Sequence, residues 1–539
     1  MDLLSLNDDV LLAIFGHLCG EDALSVSLTS KQLYWLAGPR IASDIACTSP
    51  EALRRLHAYL LSSSIRGTPR ARFVEKFVIR IHTFHSEPDH NQYYANFSQV
   101  SLLGDILLQA SNIRELYFDR LHPCLERDPR IAHAIGSLTS LEKLDLFVVA
   151  DASLSIFDPP HGLDKLSYLN LCYYLADDPV KDQTKSLQPL VSILPSFRHL
   201  HTLAICYLEP TARLPRAARL SMPSLPSIRV LDLYEVSTPA LDLVDLCTNL
   251  SDLTISLSSE GGERIVIEGP KWPPLRQLKV EELDEVRWFP KRLGTVDQLQ
   301  ICGRIRLNSD TTADGAMSPK ERLLELLRDT SPVGVYMCIE LSGQVEQTSG
   351  FWSDVARAAP RLRSLELQLR RPRTEDWDDY SWVSELPHAL RSLQLKCLRV
   401  LVPHELRVRC FLDLKTWAEK RAPDQEEEIN RVKALAALPP PVVHAFPSLR
   451  YLSVGDAAPN MDLWWGIPLD PVVSALQVDE KAVEWEWDFL RHLMVIRKQR
   501  WWRVVDGPHG RELVEITSGE GEAAQREIET VTPIEDNTH

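Results

Sequence analysis

The sequence is poor in glycine, contains no long apolar run and carries no excess of positive charge. Its 539 residues include 22 glycines against 36 prolines. No stretch approaches the roughly 18 consecutive apolar residues that cross a bilayer, so we expect no membrane span. With 59 lysines and arginines against 75 aspartates and glutamates, the net charge is −16. This balance argues against binding to a phosphate backbone, so we expect neither a nucleic-acid nor a membrane partner.

The motifs of common catalytic and cofactor sites are also missing. There is no P-loop, no G-x-S-x-G, no H-E-x-x-H and no glycine-rich dinucleotide turn. The ten cysteines include no C-x-x-C pair, which indicates a reduced intracellular chain and no zinc ribbon. We interpret the histidine-rich stretch at His82, His85, Asp89 and His90 as a polar loop. We therefore predict no catalytic residue, metal or cofactor, and a protein that is not an enzyme.

The first residues do not resemble a secretory signal. Residues 1–9, MDLLSLNDD, have no basic segment and become acidic at once. The composition is 44% hydrophobic and 25% charged, which is enough apolar material for a large folded core. We expect the protein in the cytoplasm, the nucleus or both.

Residues 6–36 have the apolar spacing of short amphipathic helices. The first predicted helix has a polar cap at Asn7 or Asp8, followed by apolar residues at helical spacing. This stripe consists of Val10, Leu11, Ile14, Phe15 and Leu18. Some forty residues bury too little surface to be very stable alone, so we expect a partner for this segment.

The order of these apolar positions resembles an F-box. The resemblance lies in LNDDVLLAIFGHL (residues 6–18) and DALSVSLTSKQL (residues 22–33), with Asn7 where the family usually has proline. An F-box implies docking on the Skp-type adaptor of a cullin-RING ubiquitin ligase. By this analogy some apolar positions hold the small domain together and others contact the adaptor. The candidate adaptor-binding residues are Leu6, Asp9, Val10, Leu11, Ile14, Leu18, Leu24 and Leu28.

From about residue 70 the pattern apolar-x-x-Leu-x-apolar recurs. Its last two apolar positions alternate as in a half-buried strand, and its spacing is near or slightly above the 20–29 residues of a leucine-rich repeat. One unit cannot bury its own apolar face, so we expect the units to stack around one core with a parallel sheet. The twelve units start at Val74, Ile113, Leu141, Leu166, Leu200, Ile228, Leu250, Leu275, Val296, Leu362, Leu390 and Leu449.

The prolines divide the units. They cluster just before predicted strands, as at Pro195, Pro273, Pro360 and Pro447. Because proline cannot continue a helix and favours extended backbone before it, each one ends a helix and starts a strand. Residues 333–339, VGVYMCI, predict a further strand in the longest interval between units.

These patterns predict an α/β protein in four parts. Residues 1–45 form an F-box-like helical domain. Residues 46–455 form an irregular leucine-rich-repeat solenoid, with strands on the concave face, helices on the convex face and an insertion at about 412–441. Residues 456–516 form a C-terminal cap of one helix and one hairpin, which protects the open end of the array. Residues 517–539 read as an acidic disordered tail.

The side chains between and after the buried strand positions would line the concave face. Tyrosines and charges of both signs on a curved sheet suit protein recognition better than small-molecule chemistry. For each residue the alternative is a merely solvated sheet position. The candidate target-binding residues are Asp145, Phe147, Asn170, Asp232, Tyr234, Lys279, Glu281, Glu366, Gln368, Gln394 and Lys396.

The order of F-box, leucine-rich array and cap resembles F-box/leucine-rich-repeat proteins, particularly those of mushroom-forming fungi. The resemblance implies the substrate-recognition subunit of an SCF-type ubiquitin ligase. The F-box would bind the Skp-type adaptor, the array would bind an unknown target protein, and other subunits would supply the chemistry. The alternative is a leucine-rich-repeat scaffold unconnected with ubiquitin, in which the first helices only cap the array.

Overall fold

The computed structural model divides into two compact units, Met1–Ile267 and Glu268–His539. None of the helices in the described part of the chain combines the length and the apolar character needed to cross a bilayer. The structure describes residues 6–18, 20–61, 64–65, 68–84, 96–158, 163–173, 186–215, 223–258, 265–307, 317–340, 349–370, 380–402, 430–431, 433–455, 499–508 and 510–530.

The first unit begins with short helices around a small core of their own. Asn7 caps the first helix, because its side chain accepts a hydrogen bond from the backbone N–H of Asp9 at 3.1 Å. Ser30 caps the third in the same way, accepting from the N–H of Leu33 at 3.2 Å. The helices are α1 (Asp8–Gly16), α2 (Gly20–Ser27) and α3 (Lys31–Ile41). The buried residues of their core are Leu11, Phe15, Ala23, Leu33, Leu36 and Ala37.

The rest of the first unit alternates strands with short helices or 3₁₀ turns. The elements are β1 (Asp44–Cys47), α4 (Pro50–Leu61), β2 (Ser64–Ile65), β3 (Thr68–Pro69), β4 (Lys76–Ile79), α5 (Val100–Gln109), β5 (Glu115–Phe118), α6 (Leu121–Arg127), α7 (Arg130–Gly136), β6 (Lys143–Phe147), β7 (Tyr168–Cys172), α8 (Gln188–Ile193), β8 (Thr202–Cys206), β9 (Val230–Val236) and β10 (Asp252–Leu257). β2 and β3 form a small hairpin. The other strands form a parallel sheet in the order β1-β4-β5-β6-β7-β8-β9-β10.

The second unit repeats this design and ends differently. Its elements are β11 (Leu275–Val280), β12 (Val296–Arg306), α9 (Pro319–Thr330), β13 (Gly334–Glu340), α10 (Ser349–Ala358), β14 (Ser364–Arg370), α11 (Leu386–Leu390), β15 (Cys397–Leu401), α12 (Pro439–Ala445), β16 (Tyr451–Gly455), β17 (Arg500–Gly507), β18 (Gly510–Ile516) and α13 (Ser518–Thr530). The strands are parallel and in chain order from β11 to β16. β17 and β18 then continue the sheet as an antiparallel hairpin.

The strand register aligns the repeat leucines into buried ladders. In the first unit one ladder consists of Leu116, Leu144, Leu169, Leu203, Leu231 and Leu253. In the second it consists of Leu278, Leu299, Val335, Leu365, Leu398 and Leu452. All of these side chains are buried. The predicted α/β leucine-rich-repeat architecture is therefore confirmed. We call the sheet face opposite the ladders the open face, because alternate strand residues point there.

The repeat unit predicted to start at Leu390 is wrong. The strand is β15, in which Leu398 pairs with Leu365 of β14. The leucine-rich segment fits the repeat pattern twice, five residues apart, and pairing with β14 selects the second match. Leu390 instead ends helix α11. Gln394 and Lys396 therefore precede the strand and do not lie on its open face.

Both ends of the array also differ from the prediction. β1 pairs in parallel with β4, so the predicted boundary at residue 45 cuts through a strand of the sheet. The prediction of a disordered tail is wrong for residues 518–530, which form α13. This helix begins with a capping box, in which Glu520 Oε2 accepts from the N–H of Thr517 at 3.0 Å. Residues 412–429 of the predicted insertion and 456–498 of the predicted cap lie outside the described residues.

Candidate functional site

Exposed apolar side chains concentrate on the N-terminal helices. Val10 and Ile14 are one turn apart on α1. Leu24 lies on α2, and Leu28 directly follows the end of that helix, four residues later. All four are exposed, and Leu28 retains 79% of its accessible surface. Each helix thus presents a pair of exposed apolar side chains to which a protein partner could bind. We call these four residues the N-terminal apolar group.

The structure sorts the predicted adaptor-binding residues into core and surface. Leu11 is fully buried in the core of the small helical domain, and Leu6 and Leu18 pack against that core. These three leucines hold the helices together. Asp9 is exposed beside the N-terminal apolar group. The prediction did not include Leu12 and Tyr34, which are also exposed.

The helices are joined to the repeats through polar contacts. Arg70 is buried, and its Nη2 donates to the Tyr34 hydroxyl at 2.7 Å. The Arg70 guanidinium also lies 4.3 Å from the centre of the Tyr59 ring. The N-terminal apolar group takes no part in these contacts and stays exposed. A helical cap whose only task is to cover the array would turn such side chains toward the array core.

The open face of the first unit combines carboxylates with aromatic rings. Asp145, Asn170 and Asp232 lie in one row across β6, β7 and β9, with Ala204 of β8 between the last two. Asn170 Nδ2 donates to Asp145 Oδ1 at 3.1 Å, which fixes the orientation of both side chains. Lys143 Nζ lies 3.7 Å from Asp145 Oδ2. The register thus brings together three of the predicted target-binding residues.

Aromatic side chains flank this row. The Phe147 ring packs on that of Tyr117 with centroids 4.8 Å apart, and the Tyr234 ring meets that of Tyr207 at 5.9 Å. Tyr234 is exposed. Burial raises the pKa of Tyr117 to about 12, with the Asp119 charge adding to the shift. Burial likewise raises the pKa of Tyr207 to about 12. Both hydroxyls therefore stay protonated and can donate hydrogen bonds at neutral pH.

The pKa of Tyr168 follows the same trend. Burial raises it above its ordinary value, and the carboxylates of Asp145 and Asp232 add to the shift. Lys143 Nζ lies 4.8 Å from the centre of this ring. The resulting surface carries apolar rings, hydrogen-bond donors and carboxylates within a few strands. Such a mixture suits recognition of a polypeptide.

In the second unit the predicted residues have different surroundings. Lys279 and Glu281 are half-buried on and just after β11. The backbone N–H of Glu281 donates to Glu285 Oε2 at 3.1 Å. Gln368 is buried, and its side-chain amide is hydrogen-bonded to the Tyr336 hydroxyl at 2.8 Å.

Glu366 lies on the open face as predicted, but its neighbour on β15 is not the predicted one. Its carboxylate accepts from Arg399 Nη1 at 3.0 Å. Arg399 pairs with Glu366 in the register of β14 and β15, so it holds the place that the prediction gave to Gln394. Burial raises the pKa of Glu366, which the neighbouring Arg399 opposes. The burial has a specific source, because helix α13 packs on this part of the sheet.

No metal-binding group of three or more His, Cys, Asp or Glu side chains occurs among the described residues. Of the histidine-rich stretch only His82 belongs to them, whereas His85, Asp89 and His90 lie outside.

Comparison with known proteins gives structural matches and no sequence match. No protein-family model matches the sequence, and no curated protein matches it. The leucine-rich repeat-containing protein LegL7 from Legionella pneumophila is 13% identical with a TM-score of 0.30, over 63% of this chain and 90% of that chain. A chain of the yeast Rad7 and Elc1 complex is 13% identical with a TM-score of 0.27, over 58% and 77%. Scores this low support no functional argument.

Proposed function

We propose that this chain is the substrate-recognition subunit of an SCF-type, cullin-RING ubiquitin ligase. Helices α1 to α3 are an F-box that binds a Skp-type adaptor, and the leucine-rich repeats bind a target protein. The observation that carries the proposal is the exposure of Val10, Ile14, Leu24 and Leu28 on helices whose sequence resembles an F-box. The protein acts in the cytoplasm or nucleus, and its relatives are the F-box proteins of mushroom-forming fungi.

The energetics favour a protein partner for these helices. Burying a large aliphatic side chain contributes about 1.5–3 kcal/mol. The N-terminal apolar group is already partly covered, so its four members supply only a share of that value each. The total is still enough to offset much of the cost of association. A charged side chain at one of these positions would reverse the contribution.

In this function the chain needs no active site of its own. The adaptor side fixes the chain on the ligase, and the open face of the first unit holds the target near the ubiquitin-loaded subunit. Holding two reactants together converts an encounter into an effectively intramolecular step. The proposed target surface consists of Tyr117, Asp145, Phe147, Tyr168, Asn170, Asp232 and Tyr234.

Capture of a recombinant Skp-type adaptor by the full-length chain tests the proposal. Ile14→Asp combined with Leu28→Asp should lower the affinity at least 100-fold, because two charges would be buried in the interface. Leu18 is unsuitable for this test, since it packs against the core of the small domain.

The matched control places the same charges on other exposed apolar residues. Leu108→Asp combined with Val266→Asp should leave adaptor binding unchanged. Thermal unfolding of both double variants shows whether they remain folded. A folded parent chain that captures no adaptor would overturn the ligase function and favour the alternative of a leucine-rich-repeat scaffold.

A further inference from the structure

The C-terminal helix α13 lies across the open face of the second unit. It packs against β12, β14, β16 and β17. Its residues Gly521, Gln525 and Glu529 are four apart, so they share one side of the helix, and that side faces the sheet. The helix therefore occupies a surface that the repeat pattern otherwise leaves open to a binding partner.

Glu529 anchors one end of the helix. It is buried, and its Oε2 accepts from Gln298 Nε2 of β12 at 2.7 Å. Its Oε1 accepts from Ser364 Oγ of β14 at 2.7 Å and from Gln525 Nε2 at 2.9 Å. The carboxylate is thus held by donors from two strands and from its own helix. Such charge-assisted hydrogen bonds are directional and select for a carboxylate.

Small residues on both sides allow the close approach. Gly334, Ser364 and Cys397 lie in one row across β13, β14 and β15. A Cβ atom on Gly334 would meet Glu529 Cγ at 2.8 Å. At the other end of the helix, a Cβ atom on Gly521 would overlap the Trp501 ring. The sheet therefore presents a shallow groove that fits a helix with a narrow contact side.

The apolar contribution to this docking is small. On α13 the buried positions are Gly521, Ala524 and Glu529, and Ile528 is only half-buried. Glycines at 519 and 521 weaken the first turn of the helix. A helix of this length is marginal without its tertiary contacts. Few buried apolar groups and a weak first turn mark the segments that open most readily in a folded protein.

We propose that the groove on β12 to β17 is a helix-binding site that α13 closes in cis. Its partner is a target helix with the same contact side: a small residue, glutamine four positions later and glutamate four positions after that. A target helix with this side displaces α13, and its glutamate accepts the hydrogen bonds that Gln298 and Ser364 donate to Glu529. That the displacing helix belongs to a target protein rests on the proposed function, whereas the competition between the two helices does not.

The test uses full-length protein and a fluorescein-labelled synthetic peptide of residues 517–530. In the parent chain α13 should block the peptide. Glu529→Lys removes the anchor at one end, and Gly521→Phe collides with Trp501 at the other. Each variant should bind the peptide at least tenfold more tightly than the parent does, as measured by fluorescence anisotropy.

Matched controls place the same changes on the solvent side of the helix. Glu527→Lys and Ala523→Phe are at exposed positions and should bind the peptide as weakly as the parent. A peptide carrying Glu529→Gln should bind the opened variants at least fivefold more weakly. Because adaptor capture involves only α1 to α3, its result does not depend on this experiment.

Two results would overturn the proposal. One is an opened variant that stays folded by circular dichroism and binds the peptide no better than the parent. The other is cooperative unfolding of the second unit in both opened variants, because α13 would then be an integral part of the fold and no partner could displace it.

Discussion

Arg399 Nη1 donates to Glu366 Oε2 at 3.0 Å and thereby joins β15 to β14 on the open face beneath α13. Both side chains are mostly buried, with 20% and 16% of their surfaces exposed. Arg399 Nη2 also donates to Gln499 Oε1 at 2.7 Å. The pair therefore connects the repeat strands with the chain segment that enters the C-terminal hairpin.

Arg399→Ala should destabilise the protein, whereas Lys396→Ala should not. Removing the guanidinium leaves the mostly buried Glu366 carboxylate without its hydrogen-bond donor, which we expect to cost about 1–3 kcal/mol. Lys396 precedes the strand, and its replacement should change the free energy of unfolding by less than about 0.5 kcal/mol. Urea unfolding of both variants measures the difference. Equal effects would contradict the register assigned to β15.

Stability at Glu366 should depend on pH. Burial raises its pKa above the ordinary value of 4.5, with Glu529 adding to the shift and Arg399 and Gln525 opposing it. A carboxyl group with a raised pKa in the folded state stabilises the fold most when protonated, and that contribution is lost as pH rises through the raised pKa. The parent should therefore gain stability relative to Glu366→Gln as pH falls from 7 toward 5.

Thermal unfolding of parent and Glu366→Gln across that pH range isolates the contribution of this group. Both chains share every other carboxylate, so the effects of those that do not interact with Glu366 cancel in the difference, whereas the Glu529 charge contributes through Glu366. A difference between the two chains that does not change with pH would contradict the assigned direction.

Leu11→Ala and Leu28→Ala should separate stability from adaptor binding. Leu11 is fully buried, so its truncation leaves a cavity and should cost about 2–4 kcal/mol in the helical domain. Leu28 is exposed, and its truncation should leave stability unchanged while weakening adaptor binding about tenfold. Hydrogen exchange of the α1 to α3 amides and adaptor titration give the two readouts. Unchanged adaptor binding in Leu28→Ala would remove this residue from the interface.

Asp242→Ala should strongly destabilise the first unit. Asp242 is fully buried, and its Oδ1 accepts from Arg213 Nη2 at 2.6 Å and from Arg213 Nε at 3.0 Å. Its Oδ2 accepts from the backbone N–H of Leu214 at 2.9 Å. Losing one member of a buried pair costs about 3–5 kcal/mol. The exposed Asp158→Ala is the control, and a loss as small as that of the control would contradict the burial of this pair.

The repeat architecture was predictable from the sequence because each unit carries its own signal. Alternating apolar residues specify a half-buried strand wherever they occur, and eleven of the twelve predicted units have their strand at the expected leucines. The off-pattern strand β13 was predictable for the same reason. The remaining unit, predicted to start at Leu390, failed because its leucines fit two registers and a local pattern cannot choose between them.

The sequence by itself determined which segments bury apolar side chains, and the tertiary structure decided where the ambiguous ones lie. Leu11 and Leu28 are both leucines at helical spacing, and only the packing of α1 and α2 on α3 buries one and exposes the other. The acidic segment after Ile516 lacks the apolar content of a core element. It becomes an ordered helix because Gln298 and Ser364, both more than 150 residues away in the chain, hold Glu529. Contacts between such distant residues are not encoded in any local pattern.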